Sequence, residues 1–107
     1  MTKTAVEKHF DEVAENYDSG KRKYSYYYNS LKKLLGGLIP KNKKVFEIGC
    51  GTGDLLNHLK PRKGYGFDIS HEMISISKSK FLNSDNLTFS TMWPKENYDY
   101  IFMSDVI

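Results

Sequence analysis

The chain has little of what exported, disulfide-bonded or metal-binding proteins depend on. Its 107 residues include one cysteine, Cys50, which cannot form an internal disulfide, and three scattered histidines, so no Cys/His cluster has metal-ligand spacing. No apolar run is long enough to span a bilayer, and the N-terminus lacks the apolar segment of a secretory signal. These absences predict a cytoplasmic protein with no metal site and no membrane association.

Acidic residues are missing from one stretch. Between Lys21 and Lys44 there are eight basic residues and no acidic one, although the net charge of the whole chain is only +3. The simplest interpretation is a solvated helix face and loop. Basic residues interleaved with aromatics also suit acidic substrates, lipid headgroups or nucleic acid, so that alternative stays open, with nucleic acid the less favoured partner.

What is present is the composition of one globular domain, with 39% hydrophobic and 27% charged residues. Residues 1–40 are predicted to be a helical segment. Thr4 to Tyr17 has apolar residues at three- and four-residue spacing, and Thr4 with Glu7 has the form of a capping box. A second helix is predicted from Arg22 to Leu38, with one apolar side formed by Tyr24, Tyr27, Tyr28, Leu31, Leu34, Leu35 and Leu38.

Residues 41–107 are organised around a short apolar strand that runs into alternate glycines, from Val45 to Asp54. Each glycine costs conformational entropy on folding, so the pattern indicates positive φ angles or a close approach to the backbone. A strand-to-helix turn of this kind points free N–H groups and a helix dipole at whatever lies above it. We therefore predict a small-molecule site at the turn.

Strands and helices alternate after this turn. The pattern predicts a Rossmann-like α/β fold of three layers, αβα, with an incomplete and mainly parallel sheet of about four strands. The last two strands are joined by a short link that could replace a lost helix. The predicted elements after the first strand are a helix Asp54 to Lys60, a strand Gly64 to Asp68, a helix His71 to Phe81 that faces Met73, Ile74, Ile76 and Ser77 partly inward, and strands Leu87 to Ser90 and Tyr98 to Ser104.

Ligands of such sheets bind beyond the carboxyl ends of the strands. Gly49, Asp68, the segment 90–93 and Asp105 all fall at those ends, and Asp68 lies nineteen residues after Gly49. Dinucleotide-binding folds use a similar spacing to place an acid on a ribose. A nicotinamide dinucleotide site prefers G-x-G-x-x-G, whereas the third glycine here is Gly53, which disfavours that alternative.

The segment Glu47-x-Gly49-x-Gly51-x-Gly53 resembles the first motif of the class I S-adenosylmethionine-dependent methyltransferases. The segments 66–74, 10–18 and 98–107 are similar to the second strand, the N-terminal helix and the fourth strand of that family. The resemblance implies S-adenosylmethionine as cofactor and S-adenosylhomocysteine as product. It implies methyl transfer to a small-molecule acceptor, with this chain supplying the cofactor-binding half.

The resemblance also implies roles for particular residues. Glu47 would organise the glycine turn and the methionine amino end, with a salt bridge to a lysine as the alternative. Asp68 would bind ribose, Ile69 and Met73 would lie near adenine, and Tyr17 would cover the methionine end. The cofactor-binding set is Tyr17, Glu47, Gly49, Cys50, Gly51, Gly53, Asp68, Ile69, Met73, Met92, Trp93 and Asp105. Cys50 itself is expected to pack as a small buried residue.

The chain departs from the family after the third strand, where many members carry an acid for the adenine amino group. The segment Ser90-Thr91-Met92-Trp93 has no carboxylate, so adenine would instead be held by a backbone group and packed against Met92 or Trp93. No catalytic residue is identified. The resemblance covers only the first half of the family's fold, so we expect a fragment, or association through the edge of an incomplete sheet. The open alternatives are a nucleotide-binding Rossmann domain and a non-catalytic module that binds adenosyl compounds or nucleic acid.

Overall fold

The structure is a computed structural model that describes residues 25–103. The elements of that range are α1 (Ser25–Leu38), β1 (Lys44–Ile48), α2 (Asp54–His58), β2 (Lys63–Phe67), α3 (His71–Lys80), β3 (Leu87–Ser90) and β4 (Tyr100–Met103). The predicted α/β fold with a parallel sheet is confirmed. The predicted helix from Thr4 to Tyr17, and the candidate site residues Tyr17 and Asp105, lie outside the described residues.

The four strands form one sheet in the order β3-β2-β1-β4, and every pair in it is parallel. β1 is therefore central, with Val45 opposite Gly64 of β2 and Tyr100 of β4. Parallel strands buried on both faces read as continuous apolar runs, and β1 fits that rule except at its first residue, Lys44, and at Glu47. The central position of β1 places the glycine turn in the middle of the carboxyl edge of the sheet.

Alternation along the strands gives the sheet two unlike faces. One face, which we call the helical face, carries Val45 and Phe89 and packs against residues of all three described helices and of the glycine turn. Its buried cluster consists of Ile39, Val45, Cys50, Leu56, Leu59, Ile74 and Phe89, with Leu35, Phe81, Leu87, Tyr100 and Phe102 partly buried against it.

The opposite face, which we call the loop face, is covered in part by the connection 91–99 between β3 and β4. That connection contains no helix and runs from one edge of the sheet to the other. Its Trp93 ring lies edge-on to Phe46 and Phe67, with centroids 5.0 and 5.3 Å apart. Tyr98 packs against Phe46 and Tyr65. Aromatic contacts thus take the place of a crossover helix.

Several predicted boundaries were wrong by one or two residues. α2 ends at His58 rather than Lys60, because Lys60 adopts a positive φ of 50° immediately before Pro61, where helical geometry is disfavoured. α3 ends at Lys80 rather than Phe81, and β2 begins at Lys63 and ends at Phe67, so that Asp68 follows the strand.

β4 begins at Tyr100 rather than Tyr98, because the preceding residues make other contacts. Asp99 donates its N–H to the Lys44 carbonyl and accepts the Lys44 N–H through its carboxylate. Along α1 the predicted apolar side is only partly buried. Tyr28, Leu31 and Leu35 are half-buried, whereas Tyr27, Leu34 and Leu38 are exposed.

Candidate functional site

The turn between β1 and α2 has the backbone conformation that its glycines predict. Gly49, Gly51 and Gly53 have φ angles of 74°, 56° and 87°, a region that side-chain-bearing residues rarely adopt. At Gly53 a Cβ atom would also lie 2.7 Å from the Phe89 ring. Both predicted reasons for glycine, positive φ and close approach, therefore apply. At Gly53 the close neighbour is the protein's own core.

The N–H groups of the turn are directed differently from the prediction. Gly49 and Cys50 both donate to the Phe67 carbonyl at 2.8 and 2.9 Å, and Gly53 donates to the Cys50 carbonyl at 3.0 Å. The Gly51 N–H donates to Asp68. These four groups are not free to bind an anion, because the turn is tied to the end of β2. The arrangement therefore does not favour a pyrophosphate at this turn.

Instead of free N–H donors for an anion, the site offers a hydrogen-bond acceptor, the Asp68 carboxylate. It lies half-buried directly after β2, where its Oδ2 accepts the Gly51 N–H at 3.0 Å and its Oδ1 accepts the Ser70 N–H at 3.0 Å. A carboxylate has about four acceptor positions. Two of them are used within the protein, so each oxygen keeps capacity for a donor from outside. Two adjacent hydroxyl groups are the donors that such a fixed carboxylate suits.

The start of α3 completes this side of the site. The Ser70 hydroxyl accepts the Met73 N–H at 3.1 Å, which caps the helix as predicted. Met73 is buried, whereas Ile69 is 43% exposed beside Asp68. The segment from Asp68 to Met73 therefore presents one charged group and one apolar side chain on a backbone that hydrogen bonds hold in place.

Glu47 and Cys50 lie beneath the turn. Glu47 is 1% exposed and lies in register between Gly66 of β2 and Phe102 of β4. A buried carboxylate in a central strand is costly, so it indicates a role that an apolar residue does not fill. Cys50 is buried in the helical-face cluster, as predicted, and its sulfur contacts the Gly51 carbonyl oxygen at 3.6 Å.

Met92 and Trp93 lie on the other side of the sheet from the helices. The Trp93 ring packs on Phe67, whose carbonyl accepts the two N–H groups at the start of the turn, so it reaches the site through one intermediate residue. The Met92 carbonyl accepts the Tyr65 hydroxyl at 2.7 Å, and the Met92 side chain is 68% exposed. Both residues are positioned near the carboxyl ends of β2 and β3, and their contact with adenine stays a prediction.

Two residues that sequence reasoning did not assign to the site touch the turn from α3. The Ser77 hydroxyl lies 2.7 Å from the Gly51 carbonyl oxygen, and Lys80 Nζ lies 2.7 Å from Asp54 Oδ1. A signal for Ser77 was present in the sequence. It is a polar residue on the side of the helix that also carries Met73 and Ile74, and a polar residue on such a side needs a partner.

At the amino end of the sheet, opposite the glycine turn, ion pairs link the strands to the 91–99 connection. Lys44 and Lys63 both contact the Glu96 carboxylate at 2.8 Å, and their hydrogen bonds lower the pKa of Glu96 to about 2. Burial, followed by the negative charge of Glu96, raises the pKa of Tyr98. These groups fasten the 91–99 connection at the amino ends of β1 and β2, away from the glycine turn.

Comparison with known proteins gives a consistent result. Residues 20–107 match a family model described as a methyltransferase domain. Malonyl-[acyl-carrier protein] O-methyltransferase 2 of Ilyobacter polytropus is 34% identical over 95% of this chain and 42% of its own length. The ubiquinone/menaquinone biosynthesis C-methyltransferase UbiE of Campylobacter jejuni is 28% identical over 69% of this chain and 38% of its own.

Solved structures agree. The complex of DhpI with SAH superposes with a TM-score of 0.70 and 26% identity, covering 91% of this chain and 50% of that one. The chain thus spans half or less of the length of these relatives. Between residues 25 and 103, no group of metal-binding side chains occurs, and no helix is long and apolar enough to cross a membrane.

Proposed function

The chain belongs to the class I S-adenosylmethionine-dependent methyltransferases, and from that membership we propose that it holds the cofactor for methyl transfer to a small-molecule acceptor. The observation that carries the proposal is the Asp68 carboxylate, fixed by Gly51 and Ser70 and still able to accept from outside. A neighbouring turn that uses the N–H groups of Gly49, Cys50, Gly51 and Gly53 within the protein adds to it. Together they suit a ligand with a ribose diol and no pyrophosphate.

The residues present fit the cofactor. Asp68 would accept hydrogen bonds from the ribose hydroxyls, and the exposed Ile69 would pack on the adenine ring, with Trp93 and Met92 on its far side. Gly49 and Gly51 leave space where a Cβ atom would otherwise stand, so the methionine portion can approach the backbone. Glu47 places a buried carboxyl group beneath the turn, on the side where the cofactor's ammonium group would lie.

The cofactor, when bound, supplies an electrophilic methyl group, so the protein needs mainly to bind, orient and exclude water. The described residues would orient the cofactor by rigidity, since contacts from β2 and α3 fix the turn. A small-molecule acceptor is supported by two relatives, of which one is a malonyl-[acyl-carrier protein] O-methyltransferase and the other a C-methyltransferase of ubiquinone/menaquinone biosynthesis. Acceptor recognition and the activity of the whole protein remain part of the proposal.

A cytoplasmic location also remains part of the proposal. The sequence contains one cysteine, which is buried beneath the turn and cannot form an internal disulfide, and this suits a reducing compartment.

Titration calorimetry of the 107-residue chain with S-adenosylhomocysteine tests the proposal. We expect saturable binding, and we expect Asp68→Asn to weaken it by at least about thirtyfold, because a charged acceptor of two hydroxyls is lost. Asp85→Asn, at an exposed acid before β3, is the matched control and should bind as the wild type does.

The same chain titrated with NAD and with an oligonucleotide separates the alternatives. Little or no heat is expected from either ligand. Binding of NAD in place of S-adenosylhomocysteine by folded protein would overturn the adenosyl assignment, and equal affinity of the Asp68→Asn and Asp85→Asn variants would overturn the ribose role.

A further inference from the structure

A fully buried hydroxyl on α3 lies against the glycine turn. Ser77 is 0% exposed, and its Oγ lies 2.7 Å from the Gly51 carbonyl oxygen and 3.0 Å from the Met73 carbonyl oxygen. One hydroxyl has one proton to donate, and a serine inside a helix usually gives it to the carbonyl four residues earlier. Here the shorter contact is to Gly51, which lies outside the helix.

Gly51 is consequently held at both of its backbone polar groups. Its N–H donates to Asp68 Oδ2 at 3.0 Å, and its carbonyl accepts from Ser77. The residue has a positive φ of 56°, and a glycine has many other conformations available. The other described contact of this carbonyl is the Cys50 sulfur at 3.6 Å, a weak donor. Removing the Ser77 hydroxyl therefore leaves a buried carbonyl poorly satisfied.

The position of Gly51 in turn determines the position of Asp68. The Gly51 N–H and the Ser70 N–H each bind one oxygen of that carboxylate, so together they fix the rotation of the carboxylate plane. If Gly51 moves, Asp68 Oδ2 loses the Gly51 N–H. The carboxylate can then rotate, which changes the direction of its remaining acceptor positions. Ser77 thus acts on Asp68 through Gly51, without contacting the ligand.

We propose that Ser77 is a positioning residue for adenosyl binding, because its hydroxyl fixes the Gly51 backbone that orients the ribose-binding carboxylate of Asp68. The proposal rests on the proposed function, since it deepens the role of that same site. Lys80, one turn further along α3, makes a second link to the turn through Asp54. Because that ion pair is about one third exposed at both partners, it contributes less.

The test is calorimetry of S-adenosylhomocysteine binding to the full chain, at a temperature where more than about 99% of each variant is folded. Ser77→Ala is expected to raise Kd by about tenfold, the loss expected for one buried hydrogen bond. Ser77→Cys, a weaker donor of similar size, should fall between Ser77→Ala and the wild type. It also supplies the measurement if Ser77→Ala does not fold. Ser75→Ala, at an exposed site on the same helix, is the matched control and should leave Kd within about twofold.

Two further readouts separate positioning from a merely structural role. The Gly51 amide of the ligand-free protein should exchange its hydrogen faster in Ser77→Ala, beyond any change in global stability. The Kd increase should also shrink for the 2′-deoxy analogue of S-adenosylhomocysteine, because that ligand makes less use of Asp68.

Equal Kd values for Ser77→Ala and Ser75→Ala would overturn the proposal, even if Gly51 exchanges faster, since Ser77 would then only stabilise the fold. If the wild-type chain binds no S-adenosylhomocysteine, the proposed function fails and this proposal fails with it. Normal wild-type binding with an unchanged Ser77→Ala affinity overturns only the role of Ser77.

Discussion

The two faces of the sheet are built by different means. On the helical face, Val45, Leu56 and Phe89 are between 0 and 4% exposed and form one continuous apolar cluster. On the loop face, aromatic rings contact each other at their edges, and Trp93 and Ile101 are 59 and 60% exposed. The first face is a packed interior, and the second is a partly exposed surface on which one short connection buries Phe46.

This difference between the two faces explains why the part of the site next to the helical face is rigid. The glycine turn leaves β1 towards the helical face, so α3 reaches it from that side with Ser77 and Lys80. The Asp68 carboxylate is fixed by the same construction. The loop face contributes Met92 and Trp93 on a connection with no regular structure. We therefore expect ribose recognition to be pre-organised and adenine contact to adapt more.

The largest expected effect comes from truncating one ring on each face. Phe89→Ala should lower the free energy of unfolding by about 3 to 5 kcal/mol, because it leaves a cavity in the helical-face cluster. Trp93→Ala should cost only about 1 kcal/mol, the scale of its edge contacts with Phe46 and Phe67. Urea unfolding of the two variants measures both values, and equal losses would mean that the two faces are not different in kind.

A second comparison uses two glycines. Gly53→Ala should lower stability by about 2 to 4 kcal/mol, because the new Cβ combines a strained φ with overpacking against the Phe89 ring. Gly37→Ala is the control, since a Cβ there meets nothing within 4 Å and alanine is the better helix former. It should leave stability unchanged or raise it by up to about 1 kcal/mol.

Thermal or urea unfolding of both glycine variants decides the point. A Gly53→Ala variant as stable as Gly37→Ala would show that the turn can relax, which would contradict the rigid turn on which the site depends.

The fold was predictable from the sequence because the apolar runs and turn residues mark the strands and the ends of the strands of the sheet. The alternation of strands and helices was sufficient to predict the parallel sheet, and the run at Val45 with its alternate glycines was sufficient to locate the turn. The direction of the turn's N–H groups was not predictable, since Gly49 and Cys50 donate to Phe67, which is distant in sequence. The contact of Ser77 with Gly51 has the same character, because it depends on how α3 lies across the turn.

Contacts of individual residues also explain why some predicted boundaries of strands and helices were wrong. Tyr98 and Asp99 have the composition of β4, yet the ring of Tyr98 and the carboxylate of Asp99 take other partners and the strand starts later. The exposed Leu34 and Leu38 show that helical spacing alone does not say what, if anything, covers an apolar stripe.

The smallest expected effect concerns the ion pairs that fasten the connection at the amino end. Lys44 and Lys63 lower the pKa of Glu96 to about 2, so its contribution to stability is present above its ordinary pKa near 4.5 and is lost as the pH falls towards 2. The stability difference between wild type and Glu96→Gln should therefore be measurable at pH 6 and close to zero near pH 2.

Salt provides the control for this prediction, because 1 M NaCl screens exposed ion pairs and should shrink the difference at pH 6. A difference that is constant across pH and salt would mean that Glu96 acts through packing alone. Adenosyl binding should change far less with Glu96→Gln than with Asp68→Asn, since this end of the sheet lies away from the turn.

The most direct test of the central claim is to map S-adenosylhomocysteine binding by amide chemical shifts across the full chain. The structure predicts the largest shifts at Gly49 to Gly53 and at Asp68 to Ser70, with small shifts around Lys44, Lys63 and Glu96. Binding that instead shifts the amino end of the sheet, or leaves the Gly51 and Asp68 amides unmoved at saturation, would contradict the assignment of the glycine turn as the cofactor site.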